Sequence, residues 1–338
     1  MKTWTNHLGR VARGREHAED LDQNEARELF GAWLDGELPD LLAGAFWVAY
    51  RIKGESAGEL QGFHEAIRHR MPTLPRTHHL RPVVFASYNG TRRQANLLPL
   101  LALVLTRCGV PVLIHGPDTG SLPAVPTQDH PPKGRVHTVQ VLDQLGLAQA
   151  STLQDADLLL HLQGLAYLPL SAWQPGLAKI LALREEMGIR SSVHTLLKIL
   201  HPFAPGEPIV CAAVTHPPYL QRLEDFFVRA GITALCLRAT EGEAFANPKR
   251  RPELRVCQDG HAWVFLEKDP HPLLHTPDLP ASTAEDCRDF VLAVLGGHRP
   301  LPGAIAGQAA TLLVLSGRCP DLGAADALLH ASFSCIAA

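Results

Sequence analysis

The chain has 338 residues, of which 46% are hydrophobic and 19% charged, and its formal net charge is −3. This composition predicts folded domains with sizeable apolar cores and excludes a disordered or fibrous chain. The longest apolar run, 97–105, is too short to span a membrane, and the seven cysteines contain no CxxC pair, so we expect a cytoplasmic protein without a disulfide framework or a zinc site.

The first seventy residues have apolar side chains at helical spacing, in NEARELFGAWLDG and again in PDLLAGAFWVAYRIKG. Asp22 with Glu25, and Ser56 with Glu59, have the spacing of capping boxes. Ser56 also lies in GESAG, which matches the GxSxG pattern of serine hydrolases, but that pattern needs a preceding strand and none is predicted. The sequence therefore predicts a helical domain over residues 1–72, with Ser56 as a helix N-cap.

From residue 82 the pattern changes to short apolar strands that alternate with helices. The segments 82–115 and 209–237 each read strand, helix, strand, which predicts two parallel βαβ units. DADLLLHL, at 155–162, predicts a further strand between them.

Residues 254–267 predict a β-hairpin that turns at Asp259 and Gly260, because both residue types tolerate the backbone of a two-residue turn. Three helices are predicted after it. The sequence thus predicts an α/β fold, with a small N-terminal helical domain and an α/β domain over 82–338.

The segment SYNGTRRQANLLPLLALVL joins a predicted strand to a predicted helix. Such a loop presents unpaired backbone N–H groups and the positive end of a helix dipole, and anions bind there. Arg92 and Arg93 add two permanent charges. We predict a phosphate-binding loop formed by Asn89, Gly90, Thr91 and Asn96. The alternative is an ordinary loop that carries two solvated arginines.

Ten of the 31 lysines and arginines lie in three windows that contain no acidic residue, at 73–117, 187–206 and 244–252. Segregation of positive charge on an otherwise acidic chain is typical of an electrostatic footprint for a polyanion. We expect the windows to converge on one face or groove. The residues predicted to contact nucleic-acid phosphates are Arg92, Arg93, Arg190, Lys198, Lys249, Arg250 and Arg251.

Four segments resemble successive blocks of the anthranilate phosphoribosyltransferases, in the family order: RIKGESAGEL, SYNGTRRQANLLP with VPVLIHG, LREEMGIRSSVHTLLKILHPF and AIAGQAATLLVLSG. The resemblance implies the fold that this family shares with the pyrimidine nucleoside phosphorylases. It also implies that helices near 172–200 join the helical domain and that the chain forms a homodimer through it. Arg184 matches the arginine that binds the anthranilate carboxylate, which implies a remnant substrate site.

The chain departs from that family at its chemical motifs. Where the enzymes have GTGGD, NxST and KHGN, this chain has SYNGT, NLLP and IHGP. The GP of the family's GPLxNP is Leu197 and Lys198 here, and the metal-binding DE pair has no clear counterpart, with Glu241 and Glu243 only nearby. Because each lost charge-stabilising group is typically worth a few kcal/mol, we expect no anthranilate phosphoribosyltransferase activity, no catalytic residues, no cofactor and no metal.

Three further segments, YNGTRRQANLLPLLALVL, GIRSSVHTLLK and EGEAFANPKRRPEL, are similar to the YbiB-type branch of the family. That resemblance implies non-catalytic, sequence-independent binding of single-stranded DNA or RNA by a dimer, and this is the main hypothesis. The alternative is a phosphoribosyltransferase for an unidentified aromatic or nucleobase acceptor, with the SYNGT loop for phosphate and Glu241 or Glu243 for magnesium. In a third hypothesis the chain is a structural or regulatory dimer and its basic windows are solvated faces.

Overall fold

The computed structural model describes residues 2–75, 79–119, 134–271, 279–280, 283–333 and 336–337. Internal contacts divide the chain into two compact units. Unit 1 contains Met1–Thr73 and Leu170–Pro202, and unit 2 contains Leu74–Pro169 and Phe203–Ala338. Arg76, in the first basic window, lies outside the described residues.

The described helices are α1 (Lys2–Val11), α2 (Gln23–Leu34), α3 (Asp40–Lys53), α4 (Ala57–Arg68), α5 (Leu98–Arg107), α6 (Thr138–Gln144), α7 (Leu153–Gln163), α8 (Leu170–Trp173), α9 (Pro175–Met187), α10 (Val193–Leu196), α11 (Pro217–Ala230), α12 (Ala284–Leu295), α13 (Gly303–Leu315) and α14 (Leu322–Ser332). The described strands are β1 (Val83–Ala86), β2 (Val112–Gly116), β3 (Leu165–Pro169), β4 (Ile209–Val214), β5 (Ala234–Arg238), β6 (Leu254–Gln258), β7 (His261–Leu266), β8 (Leu301–Pro302) and β9 (Ile336–Ala337). The predicted class, a small helical domain and a larger α/β domain, is confirmed.

Both predicted capping boxes of unit 1 are present. Asp22 accepts the backbone N–H of Glu25 at the start of α2, and Ser56 accepts that of Glu59 at the start of α4. Glu59 is completely buried, and its carboxylate pairs with Lys53 at 2.6 Å. The cap of α4 is therefore also an ionic contact in the core of the helical unit, where its desolvated charge needs such a partner.

Unit 2 is built on a sheet of seven strands in the order β3-β2-β1-β4-β5-β6-β7. The first five are parallel, and the last two pairings are antiparallel. The chain runs outward from β1 to β2 and β3 and then returns to β4 on the other side of β1, so the strand order reverses between β1 and β4. In open α/β sheets ligands bind at such a switch point, outside the carboxyl ends of the strands.

The prediction of a strand at 155–162 is wrong, because this segment forms α7. Thr152 caps α7 by accepting the backbone N–H of Asp155, and Gly164 ends it in the left-handed conformation. A short apolar run suits a buried strand and a buried helix equally, and the cap residues decide between them. In the part of the chain that the structure describes, no helix is long and apolar enough to cross a membrane.

Candidate functional site

Two loops meet at the carboxyl ends of the parallel strands of unit 2. Residues 87–97, the β1 loop, follow β1, and residues 239–247, the β5 loop, follow β5. Only β4 separates β1 from β5 in the sheet, so the two loops leave the same edge close together. The predicted phosphate-binding segment therefore lies beside the strand-order switch point.

The β1 loop turns at Gly90, whose φ is +65°. The next residue, Thr91, exchanges two backbone hydrogen bonds with Val136, of 3.0 and 2.8 Å. A Cβ at position 90 would lie 2.8 Å from the Val136 carbonyl oxygen, closer than real Cβ contacts come. Arg135 donates to the Gly90 carbonyl at 2.9 Å. Both the backbone angle and the close approach therefore require glycine here.

Glu243 fixes the first half of the β1 loop. Its Oε1 accepts the backbone N–H groups of Asn89 at 3.0 Å and Gly90 at 2.6 Å, and its Oε2 accepts the Ser87 hydroxyl at 2.6 Å. The Glu243 side chain is fully buried. A buried carboxylate that accepts three donors is held in place, because its departure would leave all three unsatisfied.

Glu241 occupies the second half of the β1 loop. Its Oε2 accepts the backbone N–H of Arg92 at 3.0 Å, and its Oε1 accepts those of Arg93 at 2.7 Å and Gln94 at 2.9 Å. Successive backbone N–H groups that converge on one point form an anion-binding nest. In this chain a half-buried carboxylate of the protein fills that nest.

The β5 loop holds Glu241 in this position through its backbone. Glu241 has a φ of +54°, in the left-handed region, and Gly242 follows with a φ of +103°. Thr240 and Glu243 exchange two backbone hydrogen bonds across this turn, of 3.2 and 3.0 Å. A Cβ at Gly242 would overlap the side-chain amide of Asn89. The sequence TEGE therefore builds a tight turn that presses against the β1 loop.

Of the predicted phosphate-loop residues, Asn89 and Gly90 contribute the backbone N–H groups that Glu243 accepts. Thr91 and Asn96 are completely buried. Asn96 donates to the Thr138 hydroxyl at 3.1 Å and accepts the backbone N–H of Leu98, the first residue of α5, whose N-cap position is Leu97. The structure brings these four residues together, and they shape the loop.

The cations of unit 2 differ in what they contact. The Arg92 and Arg93 side chains are exposed on the β1 loop, and Lys249 is exposed beyond the β5 loop. Arg250 donates to the backbone carbonyl of Asp269 at 3.0 Å. Arg251 forms an ion pair of 2.6 Å with the carboxylate of the same residue. The charge of Arg251 is largely neutralised by this ion pair.

The predicted cations of unit 1 act on one buried histidine. Burial, together with the positive charges of Arg184 and Arg190 and more weakly that of Lys198, lowers the pKa of His194 to about 3. Nearby positive charges disfavour the protonated imidazole. The predicted remnant substrate residue and two predicted phosphate contacts thus affect the same buried side chain of the helical unit.

Sequence reasoning missed Arg135 altogether and placed Glu241 and Glu243 only near the site. Both glutamates lie about 150 positions after the loop that they contact, so no local pattern links them to it. The available signal is their position: two carboxylates separated by one glycine, directly after a buried parallel strand. Residues at the carboxyl end of such a strand face the ligand edge of the sheet.

The carboxylates of this site can be compared with the ligands that a magnesium ion requires. In the described ranges no group of three or more His, Cys, Asp or Glu side chains could hold a metal ion. Magnesium bound with a phosphorylated ligand needs only one or two carboxylates, since the phosphates supply the other oxygens. Glu241 fits this role because it is only half-buried, whereas Glu243 is fully buried.

Comparison with known proteins gives the family context of this site. Residues 6–71 match the helical bundle domain of a glycosyl transferase family. The uncharacterised protein YbiB of Escherichia coli is 36% identical over 327 residues, which cover 96% of this chain and 97% of YbiB. The anthranilate phosphoribosyltransferase of Synechococcus elongatus is 26% identical over 302 residues, which cover 87% of this chain and 81% of that enzyme.

One solved structure with the same fold is the anthranilate phosphoribosyltransferase of Thermus thermophilus, at a TM-score of 0.74 and 21% identity, over 99% of this chain and 95% of that one. Because YbiB is uncharacterised, these relationships do not support the expected DNA-binding branch. They favour the phosphoribosyltransferase hypothesis over nucleic-acid binding.

Proposed function

Since the chain belongs to the anthranilate phosphoribosyltransferase-like family, we propose that it is a phosphoribosyltransferase for an aromatic or nucleobase acceptor other than anthranilate. The observation that carries this proposal is the anion-binding geometry of the β1 loop at the strand-order switch point. Five backbone N–H groups of this loop donate to the carboxylates of Glu241 and Glu243. The five donors belong to Asn89, Gly90, Arg92, Arg93 and Gln94.

In this proposal the β1 loop binds the diphosphate of the sugar donor. The bond between the ribose C1′ and the diphosphate oxygen breaks, and the diphosphate leaves with the electron pair. The acceptor nitrogen forms a bond to C1′ and releases its proton to solvent. Arg92 and Arg93 lie where negative charge grows on the leaving group, and preorganised positive charge stabilises it there. Magnesium, when bound, would neutralise part of the same charge, with Glu241 as its protein ligand.

The acceptor is proposed to differ from anthranilate because the acceptor motifs differ. Arg184 retains a positive charge in unit 1, but Leu197 and Lys198 replace the GP of the family motif. The charge of Lys198 contributes, with those of Arg184 and Arg190, to the lowered pKa of His194. This change favours an acceptor with more negative charge or more acceptor atoms than anthranilate carries.

The test is release of diphosphate from phosphoribosyl pyrophosphate and magnesium in the presence of single acceptors. The panel contains anthranilate, other aromatic amines and the nucleobases. We expect release with at least one acceptor other than anthranilate, and its loss in Gly90→Val, whose side chain would collide with Val136. Failure of every acceptor, together with failure of the donor to bind, would overturn the proposal.

A second candidate function is the main hypothesis from the sequence, non-specific binding of single-stranded DNA or RNA. The observation in its favour is the exposure of the Arg92, Arg93 and Lys249 side chains. When exposed cations contact phosphates, counterions are released from the nucleic acid, which makes binding steeply salt-dependent. Oligonucleotide binding at several salt concentrations tests it.

We also propose that the chain forms a homodimer through unit 1 and works in the cytoplasm. Leu41 and Ile52 on α3 are 86% and 56% exposed, and Val48 lies on the same helical face. Large apolar side chains in one stripe favour a protein partner, here a second copy. The six described cysteines are buried and form no disulfide, which supports a reducing compartment.

A further inference from the structure

The two carboxylates at the β1 loop each accept three donors, but they differ in burial. Glu243 is fully buried and satisfies two backbone N–H groups and one hydroxyl, so it cannot leave without orphaning three donors. Glu241 is only half-buried, and its side chain borders solvent. The first carboxylate builds the loop, and the second fills the position that an external anion would take.

A phosphate group and the Glu241 carboxylate need the same three N–H donors. The nest of Arg92, Arg93 and Gln94 places its nitrogens 2.7 to 3.0 Å from the Glu241 oxygens, the distances of charge-assisted hydrogen bonds. Two anions cannot share the nest, because they repel one another at contact distance. A phosphate therefore enters only when Glu241 leaves.

We propose that Glu241 is a built-in competing anion, which closes the diphosphate-binding nest of the β1 loop until a divalent cation draws its carboxylate away. This inference rests on the proposed function, because it concerns the donor site. When Glu241 moves to a cation beside the bound diphosphate, the three N–H groups exchange one acceptor for another and none is left unpaired. The cation also removes the repulsion between Glu241 and the diphosphate. Cation and diphosphate then bind cooperatively.

The β5 loop suits this exchange. The left-handed backbone at Glu241 and the tight packing of Gly242 against Asn89 fix where the side chain starts, so only its rotatable bonds need to change. Glu243 keeps Asn89 and Gly90 in place throughout. The nest thus opens without unfolding of either loop.

The experiment measures the affinity of the full chain for inorganic diphosphate by calorimetry, once with a chelator and once with magnesium. Glu241→Ala and Glu241→Gln remove the charge, and Glu267→Gln, an exposed glutamate of unit 2, is the matched control. Without magnesium we expect both Glu241 variants to bind diphosphate about tenfold tighter than the parent and the control, and their gain from magnesium to shrink. Melting temperatures identify any variant that does not fold.

Two outcomes overturn the inference, and they are distinguishable. If the parent binds diphosphate and the Glu241 variants match it with and without magnesium, the competing-anion role is wrong while the proposed donor site stands. If no variant binds diphosphate under either condition, the donor site itself is wrong and the inference falls with it. Tighter binding in chelator by both Glu241 variants, and not by Glu267→Gln, supports it.

Discussion

The backbone nitrogen of Gly90 lies 2.6 Å from Glu243 Oε1, although the two residues are 153 positions apart in the sequence. This hydrogen bond joins the loop after β1 to the loop after β5, across the intervening strand β4. Because the Glu243 carboxylate is fully buried, the contact is shielded from water and is strong. The geometry of the candidate site therefore depends on long-range contacts, of which this is one.

Replacing Glu243 by Ala should destabilise unit 2 markedly. The backbone N–H groups of Asn89 and Gly90 and the Ser87 hydroxyl would lose their acceptor, and each buried unsatisfied donor costs about 1–3 kcal/mol. We expect the free energy of unfolding, measured with urea, to fall by roughly 3 kcal/mol or more. Glu267→Gln should leave it unchanged. Equal stability of Glu243→Ala and the parent would show that the carboxylate does not hold the loop.

Local signals were sufficient to predict much of the fold. Both capping boxes of unit 1 form as predicted, because the Ser and Asp caps act within three residues. The hairpin of β6 and β7 turns at Asp259 and Gly260, with φ of 52° and 77°, as that residue pair predicts. These elements depend on neighbours in the sequence.

The rest depends on contacts that no local pattern contains. The segment 155–162 is apolar enough for a strand or a helix, and Thr152 and Gly164 settle it as α7. At the site, the charges of Arg92 and Arg93 are visible in the sequence. The Glu241 carboxylate that accepts their backbone N–H groups lies 149 and 148 positions away. Only the sheet order brings them together.

Acid should destabilise the helical unit through two buried histidines. Burial, with a contribution from Arg68, lowers the pKa of His64 to about 4, and the pKa of His194 is about 3. Well above pH 6.5 both histidines are neutral in the folded and unfolded chains, so they do not lower the free energy of unfolding there. As the pH falls from 6.5 to 4, these histidines take up protons mainly in the unfolded chain. Each histidine then lowers the free energy of unfolding by about 1.4 kcal/mol per pH unit.

Urea unfolding at pH 7.5 and 5 checks this pH dependence. The double variant His64→Gln and His194→Gln should lose less stability between the two pH values than the parent does. His17→Gln, which changes an exposed histidine, should behave like the parent. An identical pH dependence in all three proteins would contradict the assignment to these histidines.

If the chain forms the proposed dimer, introducing charged residues on the exposed face of α3 should lower its mass in solution. Leu41→Glu with Ile52→Glu places two carboxylates in the apolar stripe, and light scattering should then report a monomer. Leu162→Glu, at a residue 75% exposed on α7, is the control and should keep the mass of the parent. A monomeric parent, or an unchanged dimer in the α3 variant, would rule out this interface.

Nucleic-acid binding, the second candidate function, predicts a specific salt dependence. If Arg92 and Arg93 contact phosphates, replacing both by Ala should lower the slope of log affinity against log salt by roughly two units, for single strands of any sequence. Arg251→Ala should leave the slope nearly unchanged, because Asp269 already neutralises that charge. A parent slope near zero would contradict the hypothesis.

The most direct test of the proposed phosphoribosyltransferase function is binding of phosphoribosyl pyrophosphate to the full chain in magnesium, measured by calorimetry. We predict one site per chain, with binding lost in Gly90→Val and preserved in Glu267→Gln. Binding that Gly90→Val leaves intact would place the ligand elsewhere. If the parent binds no phosphoribosyl pyrophosphate, and the ligand with magnesium does not change its melting temperature, the proposed phosphoribosyltransferase function is wrong.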